Sequence, residues 1–94
     1  MKIKWNEEKN DLLKRERGIS FEDFLRKIEE GRLLDDIKHP NADDYPNQRI
    51  FIVELENYAY LIPYVEDEEK KEIFLKTAFP SRKMTKKYIG SKKI

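Results

Sequence analysis

The chain has no cysteine, a single histidine, three glycines and four prolines, and nothing acidic after Glu72. Without cysteine, disulfides cannot hold the fold and thiolate metal sites are excluded, which fits a reducing compartment. No apolar run approaches the length of a membrane span. The opening Met1-Lys2-Ile3-Lys4-Trp5 has none of the apolar stretch of a secretory signal. A cytoplasmic protein is therefore expected. Few glycines and prolines leave little material for long linkers, and no internal repeat is visible.

What is present is charge. Charged residues make up 41% of the 94 positions and hydrophobic residues 38%, enough for one modest core and not for two. The net charge of +1 conceals an asymmetry. Lys76, Arg82, Lys83, Lys86, Lys87, Lys92 and Lys93 follow the last acid, so 7 of the 20 basic residues face no acid there and 13 remain against 19 acids before it. Clustered positive charge attracts phosphate backbones and steers association, and RNA is the expected polyanion. A solvated basic tail is the plainer reading of the same run.

Local signals divide the chain. Asn6 is placed to cap a helix running to about Arg17, with Glu7 and Glu8 at its positive end and Gly18 suited to a left-handed stop. Its only apolar residues are Leu12 and Leu13, so it must lean on the rest of the domain. Ser20 and Asp23 form a capping box for a second helix, Ile19 and Phe24 form a hydrophobic staple, and Gly31 ends it. Phe21, Phe24, Leu25 and Ile28 recur at helical spacing, which marks core rather than a cofactor site. Residues 33–38 suit a short strand and 39–47 a loop. Residues 49–55 and 58–65 flank Glu56-Asn57 as a hairpin; Glu-Asn is a weaker type I′ turn than Asn-Gly and leaves a longer turn open, while the two-residue turn pairs Leu55 with Tyr58, Val53 with Tyr60, Phe51 with Ile62 and Arg49 with Tyr64. Residues 66–71 are a charged turn, since adjacent acids rarely converge on a metal. Residues 73–79 suit a long strand. Pro80 or Ser81 opens a short basic helix to about Ile89, in which Met84 and Tyr88 can pack on the sheet while Lys83, Lys86 and Lys87 point elsewhere.

Three segments carry a resemblance. Trp5-Asn6-Glu7-Glu8-Lys9-Asn10 resembles the W-D-x-x-K-N opening of the BrnT-like branch of the RelE/ParE toxins. Residues 15–23, Arg-Glu-Arg-Gly-Ile-Ser-Phe-Glu-Asp, resemble that branch's R-K-H-G-[IV]-S-F-E-[DE], and Ser81-Arg82-Lys83-Met84-Thr85 is similar to its A-R-[RK]-A-[ST]. Arg17 stands where the family often has His, Met84 where it has Ala, and Glu16 where it has a basic residue. The resemblance implies an α+β, RelE-like fold over residues 1–94, with two N-terminal helices packed on a small antiparallel sheet and a short basic C-terminal helix. It also implies the toxin of a type II toxin–antitoxin system, a metal-independent endoribonuclease that cleaves mRNA, free or on the ribosome, and arrests growth. The implied partner is an antitoxin of ribbon-helix-helix type, through which alone operator DNA is reached. No cofactor is implied. A non-catalytic module that binds protein or nucleic acid is the alternative, because fold alone does not settle activity.

Metal-free RNA cleavage uses the 2′-OH as nucleophile, so a base, a stabiliser of the phosphorane charge and an acid for the leaving oxygen are needed. Arg49, Lys76, Arg82 and Tyr64 are the catalytic candidates, the cations for phosphate and the phenol for proton relay or stacking. Lys83, Lys86, Lys87 and Tyr88 are candidates for RNA binding, joined through the resembling motifs by Lys9 and Arg15. His39 is the only imidazole available as a base, and it precedes Pro40 in the turn-rich loop. For each the plain alternative is a salt bridge, a solvated rim or packing.

Overall fold

The computed structural model describes residues 2–90. Its elements in chain order are β1 (Lys2–Trp5), α1 (Glu7–Arg17), α2 (Phe21–Glu29), β2 (Leu33–Lys38), β3 (Gln48–Leu55), β4 (Tyr58–Asp67), β5 (Glu72–Leu75), β6 (Phe79–Pro80) and α3 (Arg82–Met84), the last continuing into a π-helical turn over Thr85–Ile89. The architecture is α+β. One sheet in the order β1-β5-β4-β3-β2, with β6 also beside β4, separates α1 and α2 from the C-terminal helical segment.

The caps act where the residues place them. The Asn6 side chain accepts from the Lys9 amide at 3.1 Å, and Gly18 ends α1 at φ 69°. The Ser20 hydroxyl accepts from the Asp23 amide while the Asp23 carboxylate accepts from the Ser20 amide, so both halves of the capping box are made. Between the helices, buried Asn10 accepts from the Phe21 amide and donates to Glu22, both at 2.8 Å. That side chain joins α1 to the first turn of α2, and its hydrogen bond holds the Glu22 carboxyl below its usual range.

The hairpin has the expected register, from Leu55 opposite Tyr58 to Arg49 opposite Tyr64. Glu56 and Asn57 both take positive φ, 54° and 64°, the handedness a two-residue type I′ turn requires. Alternation then sends Phe51, Val53, Leu55, Ile62 and Tyr64 to the α1/α2 side, where Leu13, Ile19, Phe21 and Phe24 meet them. Ile50, Ile52 and Ala59 face the other side, under Met84, Tyr88 and Ile89.

Two expectations are corrected. The sheet is mixed, not antiparallel, because β1 pairs parallel with β5, Ile3 beside Ile73 and Trp5 beside Leu75. Four residues are too few for a pattern to declare the strand, and only the long return of the chain brings it to that edge. The expected strand over 73–79 is also broken. Leu75 pairs with Tyr64 and Phe79 with Leu61, so four steps on one strand oppose three on the other. One surplus residue is accommodated as in a bulge, and it reverses the facing of everything after it. Ala78 enters the core at 2% exposure, and Phe79 is turned out to 38%.

Candidate functional site

Arg49 starts β3 and Tyr64 lies opposite it on β4, so both reach the same end of the helix-covered face. There they meet Asp36 of the edge strand β2. Arg49 Nε donates to Asp36 Oδ1 at 3.1 Å, an Arg49 terminal nitrogen donates to the Asp36 carbonyl at 2.9 Å, and the Tyr64 hydroxyl donates to Asp36 Oδ1 at 2.8 Å. Tyr64 and Asp36 both favour the charged guanidinium and raise its pKa further. Burial, and then the Asp36 carboxylate, push the Tyr64 phenol far above its ordinary range. The Tyr64 ring is itself covered, stacked on Phe51 at 4.1 Å. It is closed to a base, and its proton is held by Asp36.

The preceding residue repeats the arrangement on the other side of the sheet. Asp35 Oδ2 accepts from the Tyr88 hydroxyl at 2.5 Å, which ties the C-terminal segment to β2. That bond holds the Asp35 carboxyl below its usual range and the Tyr88 phenol above its own. Lys87 lies 5.3 Å over the Tyr88 ring. Asp35 and Asp36, one to each face, therefore anchor both tyrosines among the site candidates. Sequence reading assigned neither acid a role. Two successive acids inside a strand otherwise flanked by apolar residues were the signal, since a strand acid near a core needs a partner.

The catalytic candidates are not gathered at one place. Arg49 and Tyr64 lie on the helix-covered face, whereas Arg82 is exposed on α3, the segment packed on the opposite face, and Lys76 is exposed at the interruption between β5 and β6. The RNA-binding candidates divide as well. Lys83, Lys86 and Lys87 are exposed beside half-buried Tyr88, but Lys9 and Arg15 belong to α1 on the far side of the sheet. His39 stands in the loop, its Nδ1 accepting from the Asn41 amide at 3.0 Å and its ring 4.7 Å from that of Tyr45.

The C-terminal segment is not a loose tail as far as Gly90. Ser81 caps α3 by accepting from the Met84 amide. Thr85 Oγ1 accepts from the Ala59 amide at 2.9 Å and donates to the Ser81 carbonyl at 2.7 Å, which stitches the segment to β4. Met84, Tyr88 and Ile89 pack downward while Arg82, Lys83, Lys86 and Lys87 stand in solvent. Among the described residues none of these four cations forms an ion pair. Lys92 and Lys93 lie outside the described residues.

No family model, no curated protein and no solved structure matches this chain. Among the described residues no three acids or histidines converge as metal ligands, and no helix is long and apolar enough to cross a membrane.

The tyrosine anchors have a measurable consequence. Both phenols have raised pKa values in the fold, so their stabilisation is present below the unfolded tyrosine pKa of about 10 and is lost as pH rises through the folded values. An ultraviolet absorbance titration of the wild type minus that of Tyr64→Phe is expected to show a phenol ionising late, together with unfolding. A difference curve centred near 10 would mean that Asp36 does not hold the Tyr64 proton.

Proposed function

We propose that this protein is the toxin of a type II toxin–antitoxin pair of the BrnT-like, RelE-related kind, a metal-independent endoribonuclease that cleaves mRNA in the cytoplasm and arrests growth until its antitoxin covers it. The observation that carries the reading is the basic C-terminal segment. Four exposed cations, without ion pairs among the described residues, stand on a helical ridge fixed to the sheet by Thr85, Met84 and Tyr88. A fixed ridge of this kind presents charge to a phosphate backbone without the entropy cost of ordering a free tail. The family-like segments also coincide with groups that organise the fold: Asn6 and Ser20 cap helices, Asn10 joins them, and Ser81 and Thr85 set the ridge. In this reading Arg82 stabilises charge on the phosphate, Lys83, Lys86 and Lys87 bind the backbone, and a ribbon-helix-helix antitoxin masks the basic surface and carries the complex to operator DNA.

A second reading has its own observation. Arg49 and Tyr64 already spend hydrogen bonds on Asp36, and the catalytic candidates lie on two faces of the sheet. That arrangement favours a non-catalytic module that binds RNA or a protein.

Incubation with a structured and an unstructured RNA in EDTA separates the two. The wild type is expected to cleave, and Arg82→Ala to lose about 100-fold or more of the rate, the cost typical of removing one stabiliser of transition-state charge. RNA bound but left intact, in the presence and absence of ribosomes, would establish the binding module. Undiminished cleavage by a well-folded Arg82→Ala protein would remove Arg82 from the site.

A further inference from the structure

The side of the sheet that bears the C-terminal ridge is only partly covered by it. Among the described residues four large apolar side chains are well exposed, Leu33, Tyr45, Phe74 and Phe79, and the two phenylalanines share this side. Phe74 pairs with Val65 and Phe79 with Leu61 on β4, and Leu61, Pro63 and Val65 alternate away from the α1/α2 core. Phe74 is 43% exposed and Phe79 38%. In a chain this rich in charge, exposing two phenylalanine rings on one face leaves apolar area in water with no packing gain.

The rings stand among cations. Lys4 is the neighbour of Phe74 on β1, Lys76 follows Phe74 by two residues, and Arg82 and Lys83 follow Phe79 closely. Lys4 has an acidic partner, Glu72 at 3.2 Å, whereas among the described residues Lys76, Arg82 and Lys83 pair with no acid. On this side Asp35 is tied to Tyr88 and Glu72 to Lys4, and beyond Val65 the acids Glu66, Asp67, Glu68 and Glu69 border a shallow depression. Arg82 and Lys83 thus stand toward the Phe79 end, away from the acids beyond Val65.

Exposed aromatic rings on an open sheet with unpaired cations beside them suit a single-stranded nucleic acid, whose bases stack on the rings while its phosphates meet the cations. We propose that Phe74 and Phe79 form a stacking platform for single-stranded RNA, with Lys76 and the C-terminal ridge holding its backbone. The platform rests on the reading of the ridge as an RNA surface and adds to it which face takes the bases. It also reassigns the stacking role expected of Tyr64, whose ring is buried against Phe51, and of Tyr88, whose ring packs on the sheet. Val65 and Leu61 are four residues apart on β4, about 13 Å along the strand. That exceeds one stacked-base step several-fold, so the rings take different bases of an extended strand.

The test is fluorescence anisotropy with a labelled, unstructured oligouridine whose 2′ positions are O-methylated, so that it cannot be cleaved, and with an abasic oligomer of the same backbone. Phe74→Ala and Phe79→Ala are each expected to weaken oligouridine binding by about 5- to 100-fold. Both should leave binding of the abasic backbone unchanged, and Phe74→Tyr and Phe79→Tyr should retain wild-type affinity. Both positions are exposed, and thermal melts check that the variants keep the fold. Wild-type affinity in both alanine variants overturns the platform while leaving the basic ridge as an RNA surface. Equal losses on the abasic backbone overturn it as well, as does a wild-type self-association dissolved by Phe74→Ala, which would make the patch a protein interface. Base-dependent binding without cleavage of natural RNA keeps the platform and rejects the nuclease. No binding by the wild type rejects both.

Discussion

Replacing Arg82, Lys83, Lys86 and Lys87 together by glutamine is expected to lower affinity for single-stranded RNA by about 100- to 1,000-fold at about 0.1 M salt. The estimate comes from counterion release, in which each phosphate contact on a single strand contributes about 0.7 to the slope of log affinity against log salt. Four contacts remove about 2.8 from that slope. Glutamine keeps an unbranched polar side chain and a similar helix propensity, and the four positions are solvent-exposed, so the packing of Met84, Tyr88 and Ile89 against Ile50, Ile52 and Ala59 should survive. A salt series on both proteins gives the two slopes. An unchanged slope would show that the ridge makes no phosphate contacts, however basic it is.

The second large effect concerns stability. Phe24→Ala is expected to cost about 3–5 kcal/mol, measured by urea denaturation. Phe24 is 1% exposed, lies at 5.2 Å from the Tyr60 ring, and joins α2 to the sheet within the main core. A domain of this size has about 5–15 kcal/mol of stability in all, so one such cavity removes a large share of it. A loss below about 1 kcal/mol would mean that α2 collapses into the space, and that the join between helices and sheet is softer than its burial indicates.

These effects lie on opposite sides of one sheet, and the sheet explains why. The hairpin of β3 and β4 is apolar on both faces, so it needs a cover on each. On one side the cover is α1 and α2, held in relation to each other by Asn10. On the other it is a short segment with three apolar contacts and four solvent-facing cations. The first cover closes its face with a continuous core. The second is too small to close its face, and the remainder of that face is where Phe74 and Phe79 stand exposed.

How much of this was legible depended on the range of the interaction. Both helix N-caps, the Gly18 stop, β2 over residues 33–38 and the full register of the hairpin follow from neighbours within a few residues, and all are found as expected. The seating of Met84 and Tyr88 on the sheet follows equally from their one-turn spacing. The parallel placement of β1 was not legible in the strand itself, because its partner β5 is some seventy residues away and four alternating residues fit many structures. The break after Leu75 was hidden for another reason. An uninterrupted strand and a strand with one surplus residue have the same composition, and only the pairing with β4 distinguishes them.

The candidate site shows the same division. From sequence, residue type and charge singled out Arg49, Tyr64, Arg82 and the lysines beyond Glu72, each by its own chemistry. Their grouping is decided by contacts across 13, 28 and 53 residues, Asp36 with Arg49, Asp36 with Tyr64 and Asp35 with Tyr88. By itself the sequence determined the caps, the place of the hairpin with the register that a two-residue turn would give it, and the concentration of basic charge after Glu72, because those depend on short-range geometry and on counting. Only the tertiary structure decided that Arg49 and Tyr64 are drawn to Asp36 on one face, that the basic ridge stands on the other, and that Phe79 turns outward. Such outcomes depend on which strands become neighbours, and one displaced residue is enough to reverse which side of the sheet a side chain serves.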